Sequence, residues 1–113
     1  IEEFNRQYFF EAHDLWEEVW RDSTGHNRLF YQGLIQTAVG FYHLSNNNFK
    51  GADSQLGKAL TKLEDYLPFF HGINTQQLAA GVRLCLADIR HAHERTDGFD
   101  ESKIPRIRLA GSE

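Results

Sequence analysis

The chain has 113 residues, enough for one hydrophobic core and too few for two. Its 41% hydrophobic and 13% aromatic content excludes a disordered chain. A net charge of -4 argues against a nucleic-acid surface, and a single cysteine, Cys85, excludes a disulfide-stapled scaffold.

Hydrophobic periodicity predicts helical segments separated by turn signals. The first runs from about Phe4 to Asp22 and stops at Ser23-Thr24-Gly25. The second runs from about Asn27 to Ser45 and stops at Asn46-Asn47-Asn48. The third runs from about Gly51 to Leu67, where Pro68 forbids continuation. The fourth starts after Asn74 or Thr75, both good N-caps, and runs to about Arg95, before Asp97-Gly98. Sustained period-two alternation is absent, so strands are not expected. Short connections make consecutive helices antiparallel neighbours. The expected fold is all-α: one domain over residues 1–113, an antiparallel bundle of about four helices, with an extended tail over about 99–113.

In that tail Ile104-Pro105-Arg106-Ile107-Arg108-Leu109 alternates, and its Pro rules out a helix interior. Ile104, Ile107 or Leu109 is expected to pack onto the helices. Cys85, between Leu84 and Leu86, is expected to be buried. The longest apolar-rich stretch, Leu29 to Leu44, is broken by Gln32 and Gln36 and is too short for a membrane span. No secretory signal is visible, although a segment preceding Ile1 stays open. A cytoplasmic location is the expectation. The third segment resembles one tetratricopeptide helix pair locally, but no second copy of that repeat follows.

The first helix carries the most informative run, Glu11-Ala12-His13-Asp14-Leu15-Trp16-Glu17. Rotation by about 100° per residue places Phe4, Tyr8, Phe9, Ala12, Leu15, Trp16, Val19 and Trp20 in one core-facing arc. Gln7, Asp14, Glu18 and Arg21 fall opposite. Glu11 takes one border of the arc. His13 and Glu17 take the other, four residues apart, so their side chains can meet. Such a pair suits a general base or a metal ligand. The ordinary alternative is a border ion pair.

The second helix is apolar nearly all round, as a central helix should be. Gly33, Thr37 and Gly40 form a small-residue stripe that lets another helix approach closely. Gln32, Gln36 and His43 form a polar stripe beside it. Unpaired burial costs about 1–3 kcal/mol per group, so these side chains need partners. The nearest are Glu11, or His13 and Glu17, across a groove walled by Tyr8, Trp16 and Trp20. Apolar walls with a few convergent polar groups suit a small-molecule site. The competing reading is a hydrogen-bond network that fixes helix register. No cofactor is required. A metal, if held, would use His13, Glu17 and His43, two imidazoles and a carboxylate. Glu-x-x-His pairs and His-Glu-x-x-His are absent. His26, His71, His91 and His93 form no second constellation. Arg83, Arg90, Arg95, Lys103, Arg106 and Arg108 make the C-terminal part the more basic.

Phe4-Asn5, Phe10-Glu11-Ala12-His13-Asp14, Glu17, Trp20, Gln32-Gly33-Leu34-Ile35-Gln36, Ala38 and Tyr42-His43 resemble a small helical family catalogued as domain of unknown function 309. Lys50-Gly51-Ala52, Leu60 and Ile104-Pro105-Arg106-Ile107 also look like it. Asp14 departs from the glutamate common there. The resemblance implies an all-helical fold and no established activity.

Two functions follow as expectations. In one the polar seam holds a small molecule or metal, with Glu11, His13 or Glu17 as candidate catalytic groups. Gln32, Gln36, His43, Trp16, Trp20 and Tyr42 are then binding candidates. In the other the domain is a non-enzymatic interaction module that docks a protein partner or a second copy of itself, and the seam is structural. Neither needs a membrane or nucleic acid.

Overall fold

The computed structural model describes residues 1–92 and 103–109. In chain order these form α1 (Glu2–Asn5), α2 (Phe9–Arg21), α3 (Gly25–Ser45), α4 (Phe49–Leu63), a 3-10 turn (Glu64–Tyr66), β1 (Phe69–Phe70), β2 (Ile73–Asn74) and α5 (Thr75–Ala92). The all-helical reading holds, with one short hairpin as the exception.

The first predicted helix is two helices. After α1 the chain enters a left-handed residue, Gln7, at φ 65. The Tyr8 amide donates to the Glu3 carbonyl and the Gln7 amide to the Phe4 carbonyl, both at 2.8 Å. This 6→1 and 5→2 pattern is a Schellman stop, built here without glycine. The same device ends α3. Asn47 sits at φ 61, and the Asn48 and Asn47 amides donate to the His43 and Leu44 carbonyls at 2.8 and 3.0 Å. Asparagine tolerates that conformation better than most residues. Asn48 then caps α4: its Oδ1 accepts from the Gly51 amide at 3.0 Å.

α4 ends at Leu63, short of the predicted Leu67, and tightens into the 3-10 turn. Leu67 is extended (ψ 152), as a residue before proline prefers. The Leu67–Pro68 peptide is cis. β1 and β2 pair antiparallel through His71 and Gly72, at φ 48 and 75. Positive φ at both loop positions marks a type I′ hairpin. Strands of two residues are too short to show alternation, so this hairpin escapes sequence reading. Asn74 caps α5 as expected, its Oδ1 accepting from the Gln77 amide at 3.0 Å. The expected helix end near Arg95 and Asp97-Gly98, along with His93, lies outside the described residues.

α3 is central, with its largest interfaces to α4 and α2. The small-residue stripe faces α4. A methyl group at Gly40 would come within 2.6 Å of Leu56 Cδ2, and one at Gly33 within 3.2 Å of Lys62 Cβ. Thr37, fully buried between them, returns its hydroxyl to the Gly33 carbonyl at 2.8 Å. On the opposite flank Phe4, Phe9, Trp16 and Phe41 interlock with ring centroids 5.2–5.9 Å apart. α2 buries a narrower arc than expected: Phe9, Ala12 and Trp16 are inside, while Tyr8, Leu15 and Val19 are exposed. No described element covers the far side of that arc.

Residues 103–109 form an extended strap. Ile104 and Ile107 are buried and Leu109 is exposed, opposite Ile73 in an isolated antiparallel bridge. Asn5 clamps the strap to α1. Its Nδ2 donates to the Ile107 carbonyl at 3.1 Å, and its Oδ1 accepts the Ile107 amide at 2.7 Å. Cys85, buried as expected, donates from Sγ to the Lys103 carbonyl at 3.3 Å. Burial, helped by Asp88 and opposed by Lys103, pushes its thiol up to about 11.

Candidate functional site

α2 runs antiparallel to α3, and the contacts along the pair fix their register. Phe9 meets Phe41 and Phe10 meets Tyr42 at one end, while Arg28 lies 4.0 Å over the Trp20 ring at the other. That register carries Gln32 and Gln36 between those two ends, along the stretch of α2 from His13 to Trp20. It also decides between the two borders of α2. His13, Glu17 and Trp20 form the half-buried border, and Glu11 on the other is exposed.

His13 is held by carboxylates on its own helix. Its Nε2 lies 3.0 Å from Glu17 Oε2, and its Nδ1 lies 3.5 Å from Asp14 Oδ1. The ring is one-quarter exposed. His43 is held from the neighbouring helix. Asn48 Nδ2 lies 3.3 Å from His43 Nδ1. The helix cap orients that amide, since Asn48 Oδ1 is taken by Gly51. An amide nitrogen only donates, so Nδ1 of His43 accepts and the ring hydrogen sits on Nε2. The cap of α4 thereby sets the tautomer of a side chain on α3.

Between the two imidazoles lies a cavity of about 240 Å³ lined by Phe9, Phe10, His13, Val39, Tyr42 and His43. The structure therefore brings together three sequence candidates, His13, Tyr42 and His43. Its walls are Phe9, Phe10, Val39 and Tyr42, rather than Tyr8, Trp16 and Trp20. Trp16 is buried in the aromatic core and Tyr8 is exposed. Phe10, half-exposed, enters the sequence reading only through the family resemblance, not as a site candidate. Its position three residues before His13, outside the core arc, is the signal that could have found it. The sequence marks Asn48 only as part of a helix stop.

The remaining candidates lie deeper along the seam. Trp20 Nε1 and Gln36 Oε1 are buried without a hydrogen-bond partner among the described residues. Gln32 is half-buried at the same interface. Glu11 stands apart from all of them. Among the described residues, His13, Asp14 and Glu17 offer ligand atoms within 4.8 Å of one another. That set has Asp14 where the sequence reading had His43, and all three lie on one helix. No helix among the described residues is long and apolar enough to cross a membrane.

These features define a class: an all-helical bundle with an aromatic, two-imidazole pocket between antiparallel helices. Residues 1–54 match the family described as Domain of unknown function (DUF309), which bears out the family resemblance over that stretch; Leu60 and the tail over residues 104–107 lie beyond it. The match spans α1 to α3 and the start of α4, and includes every residue that lines the cavity. No curated protein matches the chain.

Proposed function

We propose that the α2–α3 pocket is a binding site for a small molecule. The observation that carries this reading is the cavity of about 240 Å³ faced by two imidazoles and walled by aromatic rings. It lies just below the roughly 300–1,000 Å³ of drug-sized sites, which suits a ligand of few heavy atoms. Each imidazole is oriented by a partner outside the cavity, Glu17 for His13 and Asn48 for His43. Oriented donors and acceptors at an apolar pocket fix how a ligand sits. The same His13–Glu17 pair supplies an acid–base group should the ligand be transformed. The test is an amide-resolved NMR titration with neutral, anionic and cationic fragments. Saturable shifts confined to His13, Val39, Tyr42 and His43 are expected. Silence from all three charge classes withdraws the reading.

A second reading rests on a different observation. Leu15 and Val19 on α2 and Tyr8 at its N-cap, 47%, 42% and 55% exposed, share one helical face and fit a protein partner or a second copy of the chain. Light scattering of the native chain and of Leu15→Glu tests it. A monomer in both cases argues against self-association. A cytoplasmic location accords with the unpaired buried Cys85.

A further inference from the structure

The cavity's rings are arranged as a cup. His13, Phe10, Tyr42 and His43 follow one another round it, with centroids 6.0, 5.9 and 6.2 Å apart. Each ring is tilted 54–55° to the next. Coplanar rings would make a slot for a flat ligand, whereas successive tilts of this size curve the wall. Phe9 and Val39 complete the lining.

The ion-pair partners of the cup's lining side chains are carboxylates. No lysine or arginine is among the lining residues. His13 stands between Glu17 and Asp14, at 3.0 and 3.5 Å. That corner is net negative whether or not the ring carries a proton, because two carboxylates outweigh one imidazolium. His43 accepts from Asn48 at Nδ1 and so has a lone pair, not a second proton, on that nitrogen. An anion would find no cationic lysine or arginine in the lining and two carboxylates just behind His13. A cation would be surrounded by aromatic rings, with a negative corner behind His13. A strongly hydrated ammonium would find too few acceptors in so apolar a lining. A methylated ammonium carries its charge on an apolar surface and loses little on entering.

Resting on the small-molecule reading above, we infer that the pocket takes a free methylated ammonium compound of choline size. The probes are choline and its neutral isostere 3,3-dimethylbutan-1-ol, which share shape and differ in charge. Choline should saturate the pocket resonances of the full chain, with the isostere weaker by about ten-fold. Phe10→Ala and Tyr42→Ala should each abolish the choline shifts, and Tyr42→Phe should retain them. Both aromatic side chains are about half exposed, so circular dichroism should show both alanine variants folded. Glu17→Gln should weaken choline and leave the isostere unchanged. Equal or tighter binding of the isostere overturns the cation inference and leaves the small-molecule reading intact. Failure of every charge class to shift the pocket of folded protein overturns both. Co-sedimentation with phosphatidylcholine vesicles overturns the assignment to a free compound and moves the same chemistry to a lipid headgroup.

Discussion

The two long flanks of α3 are packed by opposite means. Toward α4 the helix presents Gly33, Thr37 and Gly40, and the neighbouring backbone comes close enough that one added methyl would clash with Leu56. Toward α2 it presents Val39, Tyr42 and His43, facing Phe9, Phe10 and His13, and a cavity remains. Small residues let two helices close without a gap. Large rings meeting across a helix pair hold the backbones apart, and the space between rings is what a ligand can use. One helix therefore supplies both a rigid seam and an open one.

Substitutions should separate the two flanks by their effect on stability. Leu56→Ala, at a fully buried position on the α4 side, should cost about 2–5 kcal/mol in urea unfolding. Gly40→Ala should cost about 1–3 kcal/mol from overpacking, less about 1 kcal/mol of gained helix propensity. The pair should not be additive. In the Leu56→Ala background, Gly40→Ala should be neutral or stabilising, because the clashing side chain is gone. Additive costs would mean that the stripe is not what sets the helix separation. Asn48→Ala, between the two flanks, should cost about 1 kcal/mol through the lost α4 cap. It should also alter the His43 ring resonances, which a purely local cap would leave alone. On the open flank, Phe10→Ala and Tyr42→Ala should cost about 1 kcal/mol, less than Leu56→Ala, since both side chains are about half exposed and line a cavity.

A further prediction concerns pH. The folded Cys85 thiol titrates at about 11, above its ordinary 9.0. Between those values the unfolded chain loses a proton that the folded chain keeps. Stability should therefore fall as pH rises from about 9 toward 11, and Cys85→Ala should flatten that slope. Urea midpoints across that range measure both.

The helices were legible because apolar residues recur with helical spacing over long stretches. The stop at Asn46-Asn47-Asn48 and the cap at Asn74 were legible because asparagine has few other uses there. The break at Gln7 was hidden, since glutamine rarely takes left-handed φ and no glycine or proline marks the turn. At the site, a helical wheel shows which residues share a face but not how much of that face is covered. Leu15 and Val19 look like core for that reason and lie in solvent. The wheel did place His13 and Glu17 on one border. It could not tell that the register would bring that border, and not Glu11, against α3. Asn48 was beyond reach, because its effect on His43 exists only after two helices have packed.

The Asn5 clamp has a consequence for the order in which the chain acquires its structure. Its two partners, the amide and carbonyl of Ile107, lie 102 residues away. A chain synthesised from its N-terminus presents α1 to α5 before those groups emerge. Until then the Asn5 amide and the seats of Ile104 and Ile107 face water. Closing so distant a contact comes late, after local helices have formed. The strap is thus a latch that closes after the helices, tying a late-emerging stretch to an early one.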